Sequence, residues 1–179
     1  GLNYIPWKLD EKAHYLPGAW MNEETRGIPV LSGTYNVQSR YKGVVATTKV
    51  KIIDDPRFEI PQSVEVELYH FRKELDALVK RFAEVYESLT ILEEQYAEDP
   101  VKEAKIKALK LAGRDRPVDR QVGAWQSNKQ TPHSVLSGLL KVAMARTKPL
   151  SEQEKMRLKD ATQQLAQYEE MVAATLEAL

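Results

Sequence analysis

Apolar residues in the first third of the chain alternate by two, and after Asp54-Asp55-Pro56-Arg57 they recur every three and four. A period of two marks a half-buried strand and a period near 3.6 an amphipathic helix. This one change therefore predicts a β part over 1–57 and a helical part over 58–179. In Gly33 to Tyr41 the residues Tyr35, Val37 and Tyr41 share one face, and Thr34, Asn36, Gln38 and Arg40 share the other. Beyond Lys42-Gly43, the residues Val44, Ala46, Val50 and Ile52 alternate with Val45, Thr47, Lys49 and Lys51 up to Ile53, which predicts a hairpin with one buried and one wet face. Lysine is a mediocre first residue for a type I′ turn, so a longer turn with Gly43 left-handed is equally open. Leu2 to Leu9, with Tyr4, Ile5 and Trp7, predicts an earlier strand, which Pro6 marks as an edge or bulged one.

The helical pattern is the stronger one. Leu68, Phe71, Leu75, Leu78, Phe82, Val85, Leu89, Leu92 and Tyr96 form an unbroken seam, which makes a rod of roughly 42 Å at about 1.5 Å per residue. Such a seam needs partner helices, because ordering the backbone costs about 1 to 2 kcal/mol per residue. Asp99-Pro100 predicts an N-cap and first position for a helix over Val101 to Ala112, with Gly113 as its C-cap. Thr131 caps a helix from Pro132 to Arg146, and Ser151-Glu152-Gln153-Glu154 is a capping box. It opens a last helix whose seam is Leu158, Ala161, Leu165, Tyr168, Val172, Thr175 and Leu179. The expected arrangement is an antiparallel bundle of three to four helices whose seams satisfy one another within the chain. Gly113 to Gln130 has no period and reads as the most mobile loop.

At 179 residues, with 42% apolar and 29% charged side chains, this is an ordinary soluble composition. Equal numbers of basic and acidic side chains, 26 each, remove the general attraction to nucleic acid or anionic lipid. No apolar run approaches the roughly 18 residues of a membrane helix. The absence of cysteine excludes disulfides and thiolate metal sites. Three predicted strands are too few for a sandwich, which needs about seven. The β part is therefore expected to be the incomplete end of a sandwich whose other strands lie in preceding sequence, in another chain or in a cleaved fragment.

Candidate chemistry is sparse. His14, His70 and His133 lack metal-ligand spacing, and His70 with Glu74 at i, i+4 reads better as a solvated pair than as half a metal site. Asp54 and Asp55 could serve a calcium ion, but carboxylates before Pro56 suit a turn between units better. Trp7 reads as core. Trp20 and Trp125, in loops, are the candidate glycan or partner contacts. Adjacent carboxylates such as Glu93-Glu94 and Glu169-Glu170 do not face one site, and no nucleophile-elbow, phosphate-loop or dinucleotide motif is present. No catalytic, cofactor-binding or metal-binding residue is assigned.

Three pieces in order, Gly1-Leu2-Asn3-Tyr4-Ile5-Pro6-Trp7-Lys8-Leu9, Ser32-Gly33-Thr34-Tyr35-Asn36-Val37 and Asp54-Asp55-Pro56-Arg57, carry a resemblance. They resemble the C-terminal region of large secreted bacterial proteins with a sortilin-like, BNR-repeat propeller, often described as glycosyl-hydrolase-like. Lys8 stands where that family commonly has aspartate, and Ser32 where it has proline. The resemblance implies an α+β chain: the C-terminal strands of an immunoglobulin- or fibronectin-like sandwich followed by a helical bundle. It implies a secreted, periplasmic or cell-surface location, and a partner in the preceding part of the same protein. No catalytic residue of the family maps onto this chain, although the parent could be a glycoside hydrolase. The expected function is a noncatalytic scaffold or interaction module. The alternatives are a carbohydrate-binding unit and a helical oligomerisation adaptor.

Overall fold

A computed structural model describes residues 6–17, 27–57, 59–114 and 131–179. The chain is α+β, with four helices and two separate two-stranded antiparallel sheets among these residues. The first sheet is minimal: β1 (Asp10–Glu11) pairs with β2 (Ile28–Pro29). The second is the expected hairpin, β3 (Gly33–Tyr41) with β4 (Val44–Ile52). Tyr41 pairs with Val44, so the turn is the two residues Lys42 and Gly43, at φ 45° and 82°. Two positive φ values in a two-residue loop are the type I′ signature, so the strand twist prevails over the poor preference of lysine.

No immunoglobulin-like sandwich is formed among the described residues. The strand expected over Leu2 to Leu9 is also not found where the chain is described: residues 6–8 are irregular and Leu9 turns the backbone at φ 58°. Pro6 lacks a donor, and a left-handed residue cannot continue a ladder. Trp7, expected in the core, is 41% exposed. It lies edge-on to Tyr35 at 6.3 Å and donates its Nε1–H to the Asp10 carbonyl.

The helices follow the predicted periods closely. They are α1 (Gln62–Gln95), α2 (Pro100–Gly113), α3 (Pro132–Ala145) and α4 (Glu152–Glu177). Asp99 accepts from the N–H groups of Val101 and Lys102, and Thr131 with Ser134 and Ser151 with Glu154 form reciprocal capping boxes. The one correction is Gly113, which is not a left-handed C-cap. It is the buried last residue of α2, and a Cβ there would lie 2.5 Å from the Tyr168 ring and hydroxyl. Close approach of Tyr168, whose hydroxyl donates to the Leu109 carbonyl, is what requires glycine.

Contacts along α1 settle the topology. Lys102 stacks on Tyr96 while Lys110 reaches Glu93 and Tyr86, so α2 runs back along α1. His133 meets Phe82 and the Ala143 carbonyl meets Arg72, so α3 continues in that same direction from the level where α2 stops. Lys155 pairs with Glu67 and Arg81 with Glu169, so α4 runs parallel to α1. The four helices therefore run up, down, down and up, which corrects the simple antiparallel alternation expected: α2 and α3 are each too short to line α1 alone, and together they form one descending rod between the two ascending ones. Fourteen residues in each of α2 and α3 give together about 42 Å at about 1.5 Å per residue, enough to span most of α1. Leu75, Phe82, Leu89, Ile106, Leu136 and Leu165 fill the centre and are essentially inaccessible. The α1 seam is thus covered by helices of its own chain.

Candidate interaction surface

Among the described residues the hairpin has no extensive packing on any helix. Its register places Tyr35 against Val50, Val37 against Thr48, Ser39 against Ala46 and Tyr41 against Val44, so the apolar residues of both strands share one face as expected. That face is only half used. Near the base Tyr35, Val37, Val50 and Ile52 are half-buried, whereas at the tip Tyr41 is 68% and Val44 71% exposed. The opposite face, Thr34, Asn36, Gln38 and Arg40 with Val45, Thr47, Lys49 and Lys51, is exposed throughout. The predicted buried face is thus present in register, half-buried at its base and open to solvent at its tip.

A row of polar clips fastens the segment before the hairpin to α1. Glu11 accepts from the Tyr69 hydroxyl at 2.6 Å and pairs with Lys73 at 2.9 Å. The hydroxyl and then the ammonium group hold the Glu11 carboxyl below its usual range. One helical turn further, Asp76 accepts from the His14 backbone N–H at 2.7 Å and meets His14 Nδ1 at 2.8 Å. Leu16 then enters the core. Tyr69, Lys73 and Asp76 stand at i, i+4 and i+7, a polar stripe legible in the sequence. Their partners, about sixty positions away, are not.

His14, Asp76 and Arg72 also border a cavity of about 20 Å³ with Ile28, Leu75, Leu140 and Met144. Such a volume holds about one water, whereas substrate pockets run to roughly 300 Å³ or more. The Arg72 guanidinium is committed to the carbonyls of Ala143 and Arg146 at the end of α3. These groups fasten elements together: the Asp76 carboxylate is held by the His14 N–H and ring, and the Arg72 guanidinium by the two carbonyls at the end of α3.

Where the hairpin joins α1, Glu65 meets the side chains of Asp54 and Ser32, and its Oε2 is buried without a hydrogen-bond partner. Burial, then the Asp54 charge, raises the Glu65 carboxyl above its ordinary value. Asp55 folds back to accept from the backbone N–H and guanidinium of Arg57, the expected turn. His70 and Glu74 are exposed on α1, and no group of three His, Asp or Glu side chains is gathered for a metal among the described residues. Trp20 and Trp125 lie outside the described residues, as does most of the loop expected over Gly113 to Gln130. No described helix is long and apolar enough to cross a membrane. Comparison with known proteins finds no matching family model, no similar curated protein and no similar solved structure.

Proposed function

We propose that the chain is a noncatalytic scaffold and docking module of a larger exported protein, its hairpin supplying two strands to an immunoglobulin-like sandwich completed by another part of that protein. The observation carrying this reading is the apolar face of β3–β4, formed in register yet uncovered at Tyr41, Val44 and Ala46. A two-stranded ribbon is marginal in water by itself, and burying each large apolar side chain contributes about 1.5 to 3 kcal/mol. A second sheet packed about 10 Å away would cover this face and leave the polar one in water. The clips at Glu11 and His14 tie the strand-bearing segment to the bundle, so a sheet docked on the hairpin would be held beside three helical rods.

The resemblance to sortilin-like, BNR-repeat proteins supports the choice of cover. The same resemblance supports a propeller in the parent protein and a secreted, periplasmic or surface location. The reading frame upstream of Gly1 supplies the first test. Further β-strands and propeller repeats encoded there support the proposal, and their absence sinks it. A second test is amide hydrogen exchange over 33–52, expected to be fast in this chain alone and slowed at least tenfold when the preceding segment is attached. Equal rates in both would remove the docking role of the hairpin.

A further inference from the structure

We propose that the outward, polar face of the hairpin binds a linear acidic polysaccharide through Arg40, Lys49 and Lys51. Between Gly33 and Ile52 the chain has four basic side chains, Arg40, Lys42, Lys49 and Lys51, and no acidic one. The whole chain is neutral, so the remainder carries four more acidic than basic groups. The segregation has a direction. Lys51 stands opposite Thr34, Lys49 opposite Asn36, Thr47 opposite Gln38 and Val45 opposite Arg40, all on one exposed face. Cations on the helices are largely engaged, Lys73 with Glu11, Arg81 with Glu169 and Lys110 with Glu93. Among the described residues no carboxylate pairs with Arg40, Lys49 or Lys51.

At about 3.4 Å per residue, Lys51 and Lys49 stand roughly 7 Å apart and Arg40 roughly 14 Å further on, a track of about 20 Å. Between them Thr34, Asn36, Gln38 and Thr47 offer hydroxyl and amide groups. The composition of the track selects its occupant. An acidic protein surface would need an apolar centre to the interface, and Val45 is the one apolar side chain here. Single-stranded nucleic acid is held by stacking on aromatic rings, and both hairpin tyrosines, Tyr35 and Tyr41, lie on the other face. A duplex is broad enough to meet the acidic remainder of the molecule, which would repel it. A thin chain of sugars bearing carboxylates touches the ribbon alone, its anions on the cations and its hydroxyls on the amide and hydroxyl groups. These residues point away from the apolar face, so the track stays open whatever covers that face.

The experiment is a titration of the full chain with polygalacturonate oligomers, and in parallel with neutral dextran, oligo-dT and polyglutamate. Binding to polygalacturonate alone, weakened by added salt, is expected. The variant Arg40→Gln, Lys49→Gln, Lys51→Gln should lose at least about tenfold in affinity. Lys80→Gln, on the exposed side of α1, should lose nothing. The pair Lys49→Arg, Lys51→Arg keeps charge and β-geometry and should bind as the parent does, which separates loss of contact from loss of the hairpin. Absence of binding at low salt, full binding by the triple glutamine variant, or equal affinity for oligo-dT or polyglutamate would each overturn the proposal.

Discussion

Gly113 and Glu65 show how much of this molecule depends on single residues whose neighbours come from other elements. The Tyr168 ring occupies the space a Cβ would take at Gly113, and its hydroxyl, pushed up to about 12 by burial and then by Tyr86, serves as a donor to Leu109. Gly113→Ala is expected to destabilise by about 1 to 3 kcal/mol in urea unfolding through overpacking. Shortening the ring by Tyr168→Leu should remove most of that penalty in the double variant, since the two residues share one space. Glu65 gives a pH signature. Its folded value lies above the ordinary 4.5, so the folded chain binds its proton more tightly than the unfolded chain does. The resulting stability is complete below 4.5 and lost as pH rises through the folded value. Glu65→Gln should therefore unfold at higher urea than the parent near neutral pH, with the gap closing on acidification; a gap that widens on acidification would contradict the carboxyl contact with Asp54. Neither effect was readable beforehand, because Tyr168 and Asp54 have no sequence neighbourhood with Gly113 and Glu65.

At the scale of elements, local chemistry decided most boundaries. Caps at Asp99, Thr131 and Ser151 were legible because each side chain satisfies N–H groups within three residues of itself. Ser151→Ala should cost about 1 kcal/mol in urea unfolding. Glu154 sharpens the expectation: its carboxylate accepts from the Ser151 N–H and hydroxyl, which lower it, and pairs with Arg146 at 3.1 Å. That contribution is present above 4.5 and lost as pH falls, the reverse of Glu65. The hairpin turn obeys a different constraint, since Lys42 adopts a left-handed conformation that asparagine accepts more easily. Lys42→Asn should slow amide exchange along 33–52 without moving the bundle's unfolding midpoint. The strand expected at Leu2 to Leu9 failed over its described part because Pro6 has no N–H to donate and Leu9 turns left-handed, so pairing with the β2 segment begins only at the Leu9 carbonyl and Asp10. A strand depends on the ladder it joins, whereas a helix completes its hydrogen bonds within itself.

For the whole molecule, the bundle and the hairpin differ in what they contribute to stability. Leu75→Ala, at the inaccessible centre, should cost about 2 to 5 kcal/mol, whereas Tyr41→Ser on the open face should change unfolding of this chain by less than about 0.5 kcal/mol. A large loss for Tyr41→Ser would mean that the face is already covered. The periods of two and near 3.6 by themselves determined the two hairpin strands, the four helices and which side of each is apolar, because those depend on the geometry of a single element; the short pairing of β1 with β2 carries no such period and was not legible. Only the tertiary structure decided that α2 and α3 are two halves of one descending rod, that α4 runs parallel to α1, and that Glu11 and His14 are fastened to one face of α1. These follow from pairings such as Lys155 with Glu67 and Glu11 with Lys73, between groups far apart in the chain. Periodicity carries an apolar face but not the identity of its cover, and for the hairpin tip that cover is not among the described elements of this chain.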